Sequence, residues 1–430
     1  MTPYDQSTQF PRFAEPRLAQ ALAYSPVVLV HGPRQCGKST LAKMLGDRQG
    51  YGYLSFDNAV TRRSADEDPL GFVDDLPNRV ILDEVQRVPE LFTTLKSVVD
   101  RDRQPGRFLL TGSSNVLLVP KLSDSLAGRM AILRLHPFAQ CELAGQPSEF
   151  LDRLFEADFP VKTVPRLKED LLERVVAGGY PPALGRPVDP PANTARDDWY
   201  RDYITTLVQR DVREISRIRS LDALPRLLRL AAARTGQLVN LLDLSSSFQQ
   251  SRQTIGDYIT LLEQFFLVER LPPWVNNHTS GPTTRPNNRL IKTPKLHLGD
   301  SGLACSLLGV DAQTLKADRS QLGPLLETFV YQEIRRMASW HERHHEFFHY
   351  RDKDKAEVDI VIERGANRIA GVEVKAAATV SAADFKGLKK LKQECGDQFA
   401  GGVVLYDGEN SAGFGEGLYA IPLRWLWEAP

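Results

Sequence analysis

The sequence predicts an α/β protein in three parts: a parallel-sheet domain at the N-terminus, a helical middle with a winged-helix-like unit, and a second α/β domain at the C-terminus. Three patterns carry this expectation. Short apolar runs alternate with helix-like stretches over the first 145 residues, helical periodicity dominates residues 196–272, and strands and helices alternate again from residue 320. The expected divisions are 1–145, 146–220 (a helical lid or linker), 221–295 and 296–430. Of the 430 residues 42% are hydrophobic and 25% charged, the composition of a globular chain rather than a disordered one. Lys plus Arg and Asp plus Glu both number 54, which excludes a globally basic nucleic-acid coat and leaves only local patches. No apolar run reaches the roughly 18 residues of a membrane span, and MTPYDQSTQFPRF has no signal-peptide pattern. Cys36, Cys141, Cys305 and Cys395 are scattered, without a CxxC or a disulfide framework, which predicts a reduced, cytoplasmic protein.

The first element, PVVLVHGP at 26–33, has the composition of a buried parallel strand, and the helix-like STLAKML follows it. Between them Gly32-Pro33-Arg34-Gln35-Cys36-Gly37-Lys38-Ser39 fits GxxxxGK[ST] in its required strand-to-helix context, with Thr40 next. Glycine tolerates positive φ, so successive N–H groups can face an anion, and a helix starting near Lys38 adds its dipole. Lys38 is expected at the β/γ-phosphates of ATP and Ser39 on Mg²⁺, with Cys36 a small filler. The next strand, RVIL at 79–82, runs into Asp83 and Glu84: Asp83 for the Mg²⁺ shell, Glu84 to activate the attacking water. A third strand, RFLL at 107–110, leads to Thr111-Gly112-Ser113, where either Thr111 or Ser113 can sense the γ-phosphate.

Pro, Gly and charged residues crowd 145–195, including GGYPPAL. Helices are expected over DDWYRDYITTLVQRDVREISRI, LPRLLRLAAAR and TIGDYITLLEQFFLVERL, the last two forming a helix-turn-helix or winged-helix unit. No acidic residue occurs between Glu269 and Asp300, while Arg270, Arg285, Arg289, Lys292 and Lys295 interleave with Trp274, Asn276, Asn277, Asn287 and Asn288. Such a loop beside a helix-turn-helix suits phosphate contact with DNA, or is an ordinary solvated loop.

In the C-terminal part, Asp359 in EVDIVIE and Glu373 in VEVK are 14 positions apart, enough for two strands and a turn. Alternation puts Glu373 and Lys375 on one strand face. With Glu327 on the preceding helix, LLETFVY, this order resembles the PD-(D/E)xK nuclease core, although Val358 stands where that family has Pro. Carboxylates of Glu327, Asp359 and Glu373 are candidate ligands for Mg²⁺ or Mn²⁺, with Lys375 orienting a metal-bound water. The helix that follows, with Asp384 and Lys386, fits the same order. His341, His344, His345 and His349 have metal-like spacing but read rather as a helix end running into a strand.

GPRQCGKST, ILDEVQ, LLTGSSN and SLAGRM, in this order, resemble prokaryotic AAA+ ATPases of the AAA_14 type. GGYPPAL, RDYITTLVQRDV, KLHLGDSGLA and LLETFVYQEI resemble the domain of unknown function that follows the ATPase in that family. The resemblance implies a RecA-like core with an AAA+ arrangement of strands. It also implies that Arg129 is an arginine finger donated by a neighbouring subunit of a homo-oligomer; the alternative is a local pair with a carboxylate. The expected function is an ATP-hydrolysing AAA+ protein acting on DNA, with a metal-dependent nuclease-like C-terminal domain. Its rival is a nucleotide-dependent switch or scaffold whose C-terminal domain only binds DNA or a protein.

Overall fold

The computed structural model describes residues 10–115, 128–185, 193–208, 223–275, 293–365 and 367–428. They form two compact units. One comprises Phe10–Phe138 with Thr260–Leu267, and the other comprises Ala139–Ile259 with the chain from Val268 onward.

The first unit contains α1 (Glu15–Tyr24), β1 (Val27–His31), α2 (Lys38–Gln49), β2 (Gly52–Ser55), α3 (Ala59–Glu67), α4 (Pro69–Asp74), β3 (Val80–Asp83), α5 (Leu91–Arg101), β4 (Phe108–Gly112) and β5 (Met130–Arg134). Its sheet is parallel, in the order β2-β3-β4-β1-β5. The three strands expected from the sequence are the fully buried ones, β1, β3 and β4. Helices cover both faces of such a sheet, so its central strands read as unbroken apolar runs. The edge strands β2 and β5 are partly exposed and carry a weaker signal. Leu91, Phe92, Leu95, Val98 and Val99 of α5 pack on Val80, Leu82, Phe108 and Leu110. β4 lies between β1 and β3, so the ends of those three strands adjoin, where open parallel sheets bind ligands.

The second unit opens with α6 (Gln140–Ala144), α7 (Phe150–Glu156), α8 (Glu169–Ala177), α9 (Pro181–Leu184) and α10 (Asn193–Thr206). Then come α11 (Ala223–Ala233), β6 (Gln237–Leu238), α12 (Leu241–Phe248), α13 (Arg252–Gln264), β7 (Val268–Leu271) and β8 (Lys295–Leu298). The last turn of α13, from Thr260, belongs with the first unit. Strands β6, β8 and β7 form an antiparallel sheet in that order. The sequence pattern runs one helix through FFLVERL, but α13 stops at Gln264. Phe266 takes φ 60°, and VERL pairs with β8. A short apolar run does not distinguish a helix end from a buried strand. α12 was not expected; Asn240 caps it by accepting from Leu242 N at 3.0 Å.

The chain continues through α14 (Ser301–Leu308), α15 (Ala312–Ala317), α16 (Leu322–Trp340), β9 (His345–Arg351), β10 (Glu357–Arg364), β11 (Ile369–Lys375), α17 (Lys386–Cys395), β12 (Phe399–Tyr406), β13 (Ala412–Gly413) and β14 (Leu418–Pro422). The sheet order is β13-β14-β12-β11-β10-β9. β10 runs antiparallel to both of its neighbours, β9 and β11, and β11, β12 and β14 run parallel. α17 lays Leu388 and Leu391 on Val358, Val361 and Val404. No boundary between compact units falls at 220 or 295. β8 pairs with both preceding strands, and α7 packs on β12 so closely that Gly401 has no room for a Cβ against the Leu154 carbonyl. Among the described residues, no helix is long and apolar enough to cross a membrane.

Candidate functional site

The loop between β1 and α2 is built as its residue types require. Gln35 and Gly37 take φ of 63° and 100°, and Gly32 presses so closely on the Leu135 carbonyl that a Cβ would collide. α2 starts at Lys38 without a side-chain cap, so its first N–H groups are available to an anion. Lys38 is buried, and its ammonium donates to the Pro33 carbonyl at 2.9 Å. Arg34 is half-buried, and Thr40 is exposed in the first turn of the helix. Burial pushes the Cys36 thiol up, and its Sγ lies 3.4 Å from the Leu135 carbonyl, which suits a filler. His31 is pushed down to about 3 by burial and by the cations Arg134 and Lys38, so it adds no positive charge.

Asp83 is brought to this loop as expected. Its Oδ1 accepts from Ser39 Oγ at 2.7 Å and from Thr111 Oγ1, and its Oδ2 accepts from Tyr53 OH at 2.7 Å. Burial and the Asp83 charge push the Tyr53 phenol up. Glu84 occupies the left-handed region at φ 61°, uncommon for a residue with a side chain. Its N–H donates to Thr111 Oγ1 at 3.2 Å. Its Oε2 accepts from Ser113 Oγ at 2.9 Å and from Gln86 Nε2, which also donates to Ser113 Oγ at 2.9 Å. The two sensor candidates thus divide: Thr111 serves Asp83, and Ser113 serves Glu84. Sequence reading missed Tyr53, because edge strand β2 had no clear pattern. It also missed Gln86, although that residue ends the quoted ILDEVQ.

Arg129 precedes β5, and Val27 pairs with Met130 while His31 pairs with Arg134. The loop follows His31, so Arg129 lies at the opposite end of the strands, roughly 16 Å away along β1. Arg129 cannot serve the phosphate loop of its own chain. It forms a bidentate pair with Asp100, at 2.6 and 3.0 Å, the local-carboxylate arrangement.

In the second unit, Asp359 on β10 stands opposite Glu373 on β11, by the pairing of Ile360 with Val372. Asp359 N donates to Glu373 Oε2 at 3.4 Å, and Lys375 Nζ donates to Glu373 Oε1 at 2.8 Å, so Glu373 and Lys375 share a face as expected. Glu327 approaches Asp359 from α16, but a cation stands between their carboxylates. Lys295 Nζ is among them, 2.9 Å from Glu327 Oε1, 2.9 Å from Asp359 Oδ1 and 2.8 Å from Glu357 Oε1. Lys295 is 1% exposed, so it is no nucleic-acid contact of a solvated loop. Burial opposes its charge, but Asp359, Glu327 and Glu357 hold its pKa well above the lysine range. Burial and Asp359 push Glu327 well above the carboxylate range, and the same two causes raise Glu373. Burial opposes the Asp359 charge, yet Lys295 and the Val374 N–H hold it low. Sequence reading missed Glu357, two positions before Asp359 on the same face. No group of three His, Cys, Asp or Glu suited to a metal occurs among the described residues, so Glu327, Asp359 and Glu373 do not fit a metal as they stand.

Trp274, expected in a solvated loop, is instead buried, with Nε1 donating to Glu363 at 2.7 Å. Asn276, Asn277, Arg285, Asn287, Asn288, Arg289 and Lys292 lie outside the described residues. The histidines do not share a helix, because α16 ends at Trp340. His341 faces Asp152 at 3.2 Å, His344 is exposed, and His349 meets the Thr293 carbonyl at 3.0 Å. Asp384 accepts from Ser381 N at 2.8 Å, ahead of Lys386 at the start of α17.

Residues 24–144 match an AAA domain, 168–314 a domain of unknown function (DUF8612), and 322–426 a second domain of unknown function (DUF4143). Uncharacterised proteins of Mycobacterium tuberculosis and Mycobacterium bovis are each 28% identical over 419 residues, covering 96% of this chain and 83% of theirs. Among solved structures, the Walker-type ATPase PABY2304 of Pyrococcus abyssi is 17% identical, covers 71% of this chain and 98% of that one, and superposes with a TM-score of 0.42. The RuvB Holliday junction branch migration motor of Thermotoga maritima is 19% identical, with coverage of 60% and 89% and a TM-score of 0.27. These superpositions are too loose to carry an argument. The matched AAA domain and the phosphate-loop geometry together make the N-terminal unit a P-loop ATPase domain of the AAA type.

Proposed function

We propose that the chain hydrolyses ATP with Mg²⁺ in its N-terminal unit, and that the cycle governs contact with DNA by its second unit. One observation carries the first part: Ser39 and Asp83, 2.7 Å apart, meet at the uncapped start of α2 with Glu84 one residue beyond. The loop N–H groups and α2 bind the phosphates, and Lys38 turns from the Pro33 carbonyl to the β/γ-phosphates. Ser39 and Asp83 hold the Mg²⁺, which supplies charge neutralisation on the phosphate oxygens. Glu84 accepts the proton of the attacking water once it leaves Gln86 and Ser113. Arg129 is remote from its own loop, so as an arginine finger it serves a neighbouring chain after leaving Asp100. The test is nucleotide binding and turnover in Lys38→Ala, which should lose both. Unchanged turnover would overturn the reading.

For the second unit, the order helix–strand–helix–helix–strand–strand from α11 to β8 resembles that of a winged helix, which supports a DNA-contacting reading. From α16 to β12, one helix, three antiparallel strands, a helix and a parallel strand follow the PD-(D/E)xK order. Lys295 among the carboxylates favours binding over cutting, which is the switch or scaffold reading. Incubation with single- and double-stranded DNA, with and without ATP and Mg²⁺ or Mn²⁺, should give nucleotide-dependent binding without cleavage. Cleavage lost in Asp359→Asn and Lys375→Ala would restore the nuclease reading.

A further inference from the structure

We propose that Lys295 is a built-in plug of the C-terminal carboxylate group: its ammonium takes the position of a divalent cation among Glu327, Glu357 and Asp359 and keeps one out. The geometry is that of a filled cation site. An ammonium has three N–H donors, and three carboxylates from two elements lie at 2.8–2.9 Å from Lys295 Nζ. A hard divalent cation needs oxygens at about 2.0–2.6 Å, and reaching these oxygens means entering the space Nζ occupies. It would also meet a like charge in a buried place.

The plug and the carboxylates come from separate pieces of structure. Lys295 opens β8, held by Leu271 on β7 and Leu238 on β6. Glu327 is on α16, while Glu357 and Asp359 share one face of β10. Neighbouring groups reinforce the arrangement. His297, two residues along β8 from Lys295, is buried and bonded through Nδ1 to Thr328 Oγ1 at 3.0 Å. Glu357 also meets Arg351 at 3.1 Å, so a second cation shares its charge. Withdrawing Lys295 leaves carboxylates crowded together without a buried counter-charge, a situation relieved by protonation or by a metal. The inference goes beyond the reading of the second unit as a DNA-binding module and does not depend on the ATPase.

Mn²⁺ binding to the full chain is the test, read by calorimetry and by the electron spin resonance of free Mn²⁺, without nucleotide. The chains compared are wild type, Asp359→Asn, Lys295→Met, and Lys295→Met combined with Asp359→Asn. Lys295→Met should bind one more Mn²⁺ per chain than wild type, and the added Asp359→Asn should abolish that gain. A folded Lys295→Met without the gain overturns the proposal. So does a wild-type site lost in Asp359→Asn, which would mean that Lys295 excludes nothing. Should Lys295→Met fail to fold, Lys295→Gln, which is uncharged but can still donate to the carboxylates, takes its place, and the same gain or its absence decides. ATPase failure in Lys38→Ala is a separate result, so the two readings cannot fall together unnoticed.

Discussion

Glu84 has one carboxylate oxygen occupied: Ser113 and Gln86 both donate to Oε2, and the residue holds a left-handed backbone at φ 61°. Strain of this kind persists where surrounding structure enforces it, often at working sites. Glu84→Gln keeps the shape and loses the base. ATP should still bind, with turnover reduced by about 10²–10⁴-fold, the usual contribution of a general base. Wild-type turnover in that variant would remove Glu84 from the mechanism. His297 supplies a pH test. Burial and the Lys295 charge push it down to about 3, whereas an unfolded histidine titrates at 6.5. The folded state therefore takes up the proton less readily. Its contribution to stability is present above pH 6.5 and is lost as pH falls from 6.5 toward 3. Between pH 7 and pH 5 the loss from this one group is about 2 kcal/mol. His297→Asn should shrink the difference in unfolding free energy between those pH values by that amount, measured by denaturant titration of the second unit.

At the level of elements, several stretches quoted in the sequence turn out to be parts of one buried connection. Asp300 caps α14 through Leu303 N at 3.1 Å and accepts from Gly179 N at 2.8 Å, Tyr200 OH at 3.1 Å and Arg336 Nη2 at 2.8 Å. Arg336 also meets Glu333 at 2.7 Å, and Glu333 accepts from Gln140 N at 2.7 Å. Thus GGYPPAL, DDWYRDYITT (through Tyr200), LGDSGLA and the middle of α16 converge on one carboxylate and one guanidinium. Gly178 takes φ 65°, and a Cβ there would run into Asp300. Arg336→Met strands two buried carboxylates. It should destabilise the second unit by about 3–5 kcal/mol, the usual cost of breaking a buried pair by removing one partner. A change under 1 kcal/mol in denaturant titration would show the network to be dispensable. A close approach also sets α17 on β10. Gly387 faces the Glu357 carbonyl with no room for a Cβ, so Gly387→Ala should cost about 1–3 kcal/mol as overpacking does. The same change should disturb the strand that carries Glu357 and Asp359.

At the level of the whole molecule, each unit has its own core and its own charged site. Loss of Lys38 should therefore leave the C-terminal carboxylate group intact, and loss of Asp359 should leave ATP turnover intact. The remote position of Arg129 leads to an assembly prediction. Arg129→Ala should bind ATP normally and hydrolyse it poorly. Mixing it with Lys38→Ala should restore part of the activity if chains exchange, because one interface then pairs a sound loop with a sound arginine. No recovery in exchanging mixtures would leave Arg129 as the partner of Asp100 alone.

The sequence by itself determined the phosphate loop, Asp83 and Glu84, and the central strands, because those rest on short contiguous patterns. A glycine-rich turn between a buried strand and a helix has few other uses, and β1, β3 and β4 are apolar on both faces. It also determined that Glu373 and Lys375 share a face, since strand alternation is local. Tertiary structure alone decided who stands beside whom. Tyr53 and Gln86 reach the carboxylates of Asp83 and Glu84 through strand order and turn geometry. Lys295, basic in a basic stretch, reads as a surface residue until β8 is paired with β6 and β7 and its ammonium is turned inward. A residue's charge is written in the sequence. Whether it meets water or three carboxylates depends on contacts between positions as far apart as 295, 327 and 359, which no local pattern records.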